Sequence, residues 1–193
     1  MKKLLLFFAI IAVNTIVWYV CFLKGCITPE EYGTFENIQS FFLAIALVLY
    51  VLKFSSCRQA LYIVFYGIWL VLMYNFLLRE IDVPHMKDAA PHWAHFWFGN
   101  GPGYIATFAI LYGSLFVGLI KNFKPIWRFF IEWTKSAEGW AMMIGGVLLG
   151  MGSLFDQQML GFSALEGKFF EECMELNAYI LISISAYYAF KRR

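Results

Sequence analysis

Charge is scarce in this chain. Only 15% of its 193 residues are Asp, Glu, Lys or Arg, against about 25% in an average soluble domain. No charge-dense stretch of low hydropathy occurs, which excludes a disordered segment. The basic residues exceed the acids by only two and are scattered, so nucleic acid is not an expected partner. The four cysteines make no metal-binding pattern. No serine or cysteine nucleophile stands beside a base. What the sequence has instead is apolar: 61% of residues are hydrophobic and 20% aromatic, and the mean hydropathy is +0.65. A water-soluble globule of that composition would have to expose much of its apolar excess, so the chain reads as an integral membrane protein.

Six continuous apolar segments follow one another, at about Leu4–Leu23, Thr34–Leu52, Ala60–Leu78, Tyr104–Ile120, Gly139–Leu154 and Glu172–Phe190. Each is near the length a helix needs to cross the hydrocarbon. Continuous rather than alternating runs point to helices, the only alternative to closed barrels in lipid. The expected fold is all-α, a six-transmembrane-helix bundle forming one domain over residues 1–193. The fifth run is short. Lys2 and Lys3 ahead of the first run resemble a secretory signal. Yet that run exceeds the roughly 7–15 apolar residues of such a signal, and no small-x-small cleavage site follows. It reads as an uncleaved first span.

Orientation follows from lysine and arginine bias. An even number of spans leaves both termini on one side, and that side collects eleven of the fifteen basic residues. Both termini are therefore expected in the cytoplasm. The same division sends eleven of the thirteen acids outside, leaving only Glu132 and Glu138 within. The cytoplasmic loop 121–138 alternates Phe123, Ile126, Trp127, Phe129, Phe130 and Trp133 with Lys124, Arg128 and Lys135. That pattern suits an amphipathic helix in the headgroup layer, its basic groups toward anionic membrane lipid.

The external acids carry the functional expectation. Thr28-Pro29-Glu30-Glu31 has the form of a helix start, which draws Glu36 and Gln39 to or just below the interface on one helix face. Arg79-Glu80-Ile81-Asp82 ends the third span, Asp156-Gln157-Gln158 the fifth, and Glu171-Glu172 with Glu175 and Asn177 begins the sixth. Acids near a helix N-terminus complement its dipole. That account fails for Glu80, Asp82 and Asp156, which stand at C-termini, and acids inside a span usually face a protein interior or a wet cavity. If Glu36, Glu80, Asp82, Asp156, Glu172 and Glu175 converge, either several are protonated or a cation compensates them. Oxygen-rich ligand sets suit calcium or magnesium; Arg79 is the alternative internal counter-ion.

All three histidines lie in the external loop 81–103. Pro91-His92-x-x-His95 places two imidazoles on one helical face, a spacing able to ligate a transition metal. The interleaved Trp93, Phe96, Trp97 and Phe98 also read as an interfacial aromatic belt. Gly146-x-x-x-Gly150, with Gly145 and Gly152 nearby, and Ser114-x-x-x-Gly118 are expected to let helices pack closely. A disulfide between Cys26 and another outer cysteine is permitted.

Three functions stay open. The first is a carboxylate cluster binding a divalent cation or a cationic or polar lipid head group. The second is a metal-dependent hydrolase of a membrane lipid or peptide, with Glu80 or Glu172 as base and His92 and His95 as added ligands. The third is a structural protein, binding a protein partner or a second copy, with its acids paired around Arg79.

The Phe-Glu-Asn-Ile-Gln stretch at 35–39, the Leu-Arg-Glu-Ile-Asp at 78–82 and the Glu-Glu-Cys-Met-Glu-Leu at 171–176 resemble those of uncharacterised bacterial six-span inner-membrane proteins. The resemblance implies a bacterial inner membrane location and no activity. A remoter similarity, to alkaline ceramidases, fails on the absence of intramembrane histidines. Prenyl-protein proteases also pair glutamates, but the later histidines they need are missing here.

Overall fold

A computed structural model describes residues 2–27, 34–81, 102–156 and 161–192. Among the described residues the chain is all-helical, with no strand: α1 (Lys2–Leu23), α2 (Thr34–Ser56), α3 (Ala60–Ile81), α4 (Pro102–Lys121), α5 (Phe123–Thr134), α6 (Ala137–Asp156) and α7 (Ala164–Lys191). Five helices, α1 to α4 and α6, are long and apolar enough to cross a membrane. The Thr28-Pro29-Glu30-Glu31 start lies outside the described residues.

Local chemistry sets the helix ends. Pro125 has no N–H to give the Lys121 carbonyl, and its ring clashes with that carbonyl. Thus α4 stops at Lys121, the chain turns at Asn122, and Pro125 falls in the first turn of α5, where proline is tolerated. The segment expected to be amphipathic is this α5, which buries Ile126, Phe129 and Trp133 and exposes Phe123, Trp127 and Ile131. The short fifth run extends at both ends into a 20-residue α6.

The last helix begins earlier than the apolar run. Ser163 accepts from the Glu166 N–H at 3.3 Å, while the Glu166 carboxylate accepts from the Ser163 N–H at 3.2 Å and from its hydroxyl at 2.6 Å. This capping box starts α7 at Ala164, more than two turns ahead of Glu172. The Ser163 hydroxyl, then its backbone N–H, hold the Glu166 carboxyl below its usual pKa.

The chain divides into two compact units, Met1–Ala46 with Trp133–Arg193, and Leu47–Glu132. In the first, α7 is the core. Phe169, Cys173 and Leu176 pack with Phe35 of α2, while Ala178 and Leu181 pack with Phe7 of α1 and Ala141 and Leu148 of α6. Apolar attraction between helices is lost in lipid, so close packing and interhelical hydrogen bonds must replace it. Both are present. A Cβ on Gly145 would lie 3.1 Å from the Ala178 carbonyl, and one on Gly152 3.5 Å from that of Glu171. The Gly146-x-x-x-Gly150 expectation is corrected: among the described residues nothing lies within 4 Å of a Cβ at either position. The close approach to α7 is at Gly145, while a Cβ on Gly152, two turns along the same face, would make ordinary contact.

In the second unit, α3 and α4 meet where a Cβ on Gly118 would lie 2.6 Å from Val64 and one on Gly67 2.8 Å from Leu115. Asn75 joins the same helices, donating to the Tyr112 hydroxyl at 2.6 Å and accepting from that of Tyr104 at 2.8 Å. All four cysteines are free thiols.

Candidate polar site on the last helix

Glu172 and Gln39 form the centre of the candidate site. Gln39, on α2, is fully buried, and Glu172, on α7, is 7% exposed. The Gln39 Nε2 donates to Glu172 Oε2 at 2.9 Å and lies 3.2 Å from the Glu172 backbone carbonyl. One amide thus ties α2 to both the side chain and the main chain of α7. Gln39 Oε1 is buried and accepts no hydrogen bond among the described residues.

Three more carboxylates surround the pair. Glu175, 8% exposed, lies one turn further along α7 and faces Gly152 of α6. Glu171 precedes Glu172, and Glu36 lies one turn before Gln39 in the first turn of α2. Glu175, Glu171 and Glu36 all act as like charges on the Glu172 carboxyl. Lys168 stands four residues before Glu172, on its side of the helix.

The early start of α7 changes the account of these acids. The dipole's influence falls off within the first turn. Glu172 and Glu175 lie beyond it and are not there as helix-start charges. Glu36, in a first turn, still fits that description. Of the other expected site residues, Glu80 and Arg79 stand in the last turn of α3 and Asp156 ends α6, but their side chains lie outside the described residues. So do Asp82, His85, His92, His95, Gln157 and Gln158 altogether. Among the described residues no group of three His, Cys, Asp or Glu side chains is placed to hold a metal ion.

Two further polar assemblies are not evident from the sequence. Deeper along α7, Asn177 accepts from the Asn14 amide at 2.9 Å and donates to the Thr15 hydroxyl at 3.0 Å and the Cys173 carbonyl at 2.8 Å. The indole of Trp18 completes the network by donating to Asn14 at 3.0 Å. The available signal was a lone asparagine inside the first apolar run, since an amide among lipid tails needs partners.

The second assembly lies toward the other end of α7. Glu138 is 2% exposed. Its Oε1 accepts from the Trp133 indole at 2.7 Å, and its Oε2 is 3.7 Å from Arg192. Its backbone carbonyl accepts from Ser185 at 2.9 Å. The Ser136 hydroxyl caps the start of α6 by accepting from the Gly139 N–H at 3.1 Å. Any Cβ on Gly139 would collide with the Trp133 carbonyl. The sequence marked Glu138 only as one of two acids on the cytoplasmic side. Its burial follows from this turn, which brings Trp133 back over the first turn of α6.

No protein-family model, no curated protein and no solved structure matches this chain.

Proposed function

We propose that this chain is a bacterial inner-membrane protein whose outward-facing Glu172–Gln39 site binds the ammonium of a cationic or zwitterionic lipid head group. On this reading α7 is a sixth span. It is too polar to qualify by composition, but Glu172, Glu175, Asn177, Ser183 and Ser185 are all buried and so need not face lipid. Six spans put both termini on one side. The basic residues collected there make it the cytoplasm, and the Glu172 end of α7 then opens outward.

The observation that carries the ligand is the pair of acceptors at one place. The Glu172 carboxylate is buried among like charges, and the Gln39 Oε1 beside it lacks a donor among the described residues. An ammonium supplies both a compensating charge and several N–H donors. A calcium or magnesium ion needs six or more oxygens and would have to recruit Glu80, Asp82 or Asp156 as well.

The test is the unfolding temperature of the full-length protein in detergent, titrated with an ethanolamine-headed phospholipid, calcium or magnesium. The lipid is expected to raise it, and Glu172→Gln, which keeps a hydrogen-bonding partner for Gln39, to abolish the rise. A rise with the metal ions alone would replace the ammonium by a divalent cation. A flat response to all three would leave a structural role. The second contact of the Gln39 amide, to the α7 main chain, favours that second reading.

A further inference from the structure

The second unit holds a groove of about 370 Å³ between the start of α3 and the amphipathic α5. Its apolar walls are Leu61, Tyr62, Pro125 and Phe129; Lys124, Arg128 and Glu132 supply its charge. Phe129 closes the floor, its ring edge-on to Tyr62 at 5.2 Å and to Phe65 at 4.9 Å. Lys124 and Arg128 are one turn apart on α5 and both exposed. Beside them Phe123, Trp127 and Ile131 are also exposed, with Trp127 stacked on Phe123 and Phe130.

We infer that this groove is a binding site for one anionic phospholipid, its phosphate between Lys124 and Arg128 and its acyl chain along the exposed aromatic face of α5. Two features select this occupant. The groove carries two cations against one anion, and Glu132, a turn beyond Arg128, confines the phosphate to the Lys124 side. The cations also adjoin bare aromatic and aliphatic side chains, which an acyl chain covers and a free phosphate does not. A helix with a basic face beside an aromatic one is the form that lies in an anionic headgroup layer. The inference is independent of the Glu172 site.

The experiment is native mass spectrometry of the full-length protein with phosphatidylglycerol, phosphatidylcholine or inorganic phosphate. Phosphatidylglycerol is expected to be retained in preference to phosphatidylcholine. Each basic side chain near a charged surface contributes about 5-fold to affinity, so Lys124→Gln with Arg128→Gln should weaken retention roughly 25-fold. The charge-keeping pair Lys124→Arg with Arg128→Lys should retain it, as should Lys24→Gln, which lies outside the groove. An unfolding temperature in phosphatidylcholine micelles equal to the parent's shows that the double glutamine variant is folded. Equal retention of both lipids, undiminished phosphatidylglycerol in that variant, or inorganic phosphate displacing the lipid would each overturn the site.

Discussion

The Gln39 side chain donates to Glu172 Oε2 at 2.9 Å from a fully buried position, and this one amide joins α2 to α7. A buried acceptor stripped of its donor costs more than the bond contributes. Gln39→Leu is therefore expected to destabilise the protein by about 2 kcal/mol. Glu172→Gln keeps an acceptor at the same place and relieves repulsion from Glu175, Glu171 and Glu36, so it should cost less than about 1 kcal/mol. Reversible unfolding in mixed micelles measures both. A Glu172→Gln variant less stable than Gln39→Leu would contradict the geometry.

Asn177 and Asn14 should behave as one unit. Asn177 bonds to Asn14, Thr15 and the Cys173 carbonyl, and Asn14 also accepts from Trp18. Interhelical hydrogen bonds in membranes average about 0.6 kcal/mol and reach about 1.7. Asn177→Ala breaks more of them and should cost roughly 1.5 kcal/mol, with Asn14→Ala nearer 1. In the double variant the costs should fall short of their sum, because the shared bond is lost only once. Strict additivity in a double-mutant cycle would count against the network.

The glycines of α6 divide by what faces them. Gly139 abuts the Trp133 carbonyl, and that contact is with backbone, which cannot swing aside. Gly139→Ala should cost roughly 3 kcal/mol. Among the described residues nothing lies within 4 Å of a Cβ at Gly146 or Gly150, so alanine there should stabilise the helix by about 0.5–1 kcal/mol. Thermal unfolding of the three single variants gives the order directly, and a harmful Gly146→Ala would mean that this face packs against something.

Five apolar helices were legible because continuous hydropathy is a property of each segment alone. The apolar run alone puts the start of α7 at Glu172, too late, because the cap and not the run sets the boundary. Ser163-Ala164-Leu165-Glu166 carries the capping-box spacing, which places Glu172 inside the helix rather than at its mouth. The Gln39–Glu172 pair was legible only as two members of a longer set of candidates. Which acid meets which amide depends on the rotation of α2 against α7, and both helices are apolar on most faces, so their sequences fix no single facing stripe. Glu138 was missed for another reason: nothing in its neighbours signals burial until the turn at Ser136 folds Trp133 over it.

Glu138 provides the most discriminating set of substitutions. Its two oxygens have different partners: the indole of Trp133, itself 1% exposed, and the guanidinium of Arg192, whose side chain is 42% exposed. A solvent-exposed cation contributes little, about 0–1 kcal/mol, and less in high salt. Arg192→Gln should therefore have a small effect that fades as salt is added. Glu138→Gln retains an amide carbonyl for the indole and should be similarly mild. Glu138→Leu leaves the indole N–H buried without its acceptor and should cost about 1–3 kcal/mol, unchanged by salt. Tryptophan emission, read as the difference between each variant and the parent because six other tryptophans also emit, adds a second readout, since an indole that loses its carboxylate partner shifts even where stability does not. Equal costs for Glu138→Leu and Arg192→Gln, both erased by salt, would mean that the ion pair and not the indole bond holds the turn between α5 and α6.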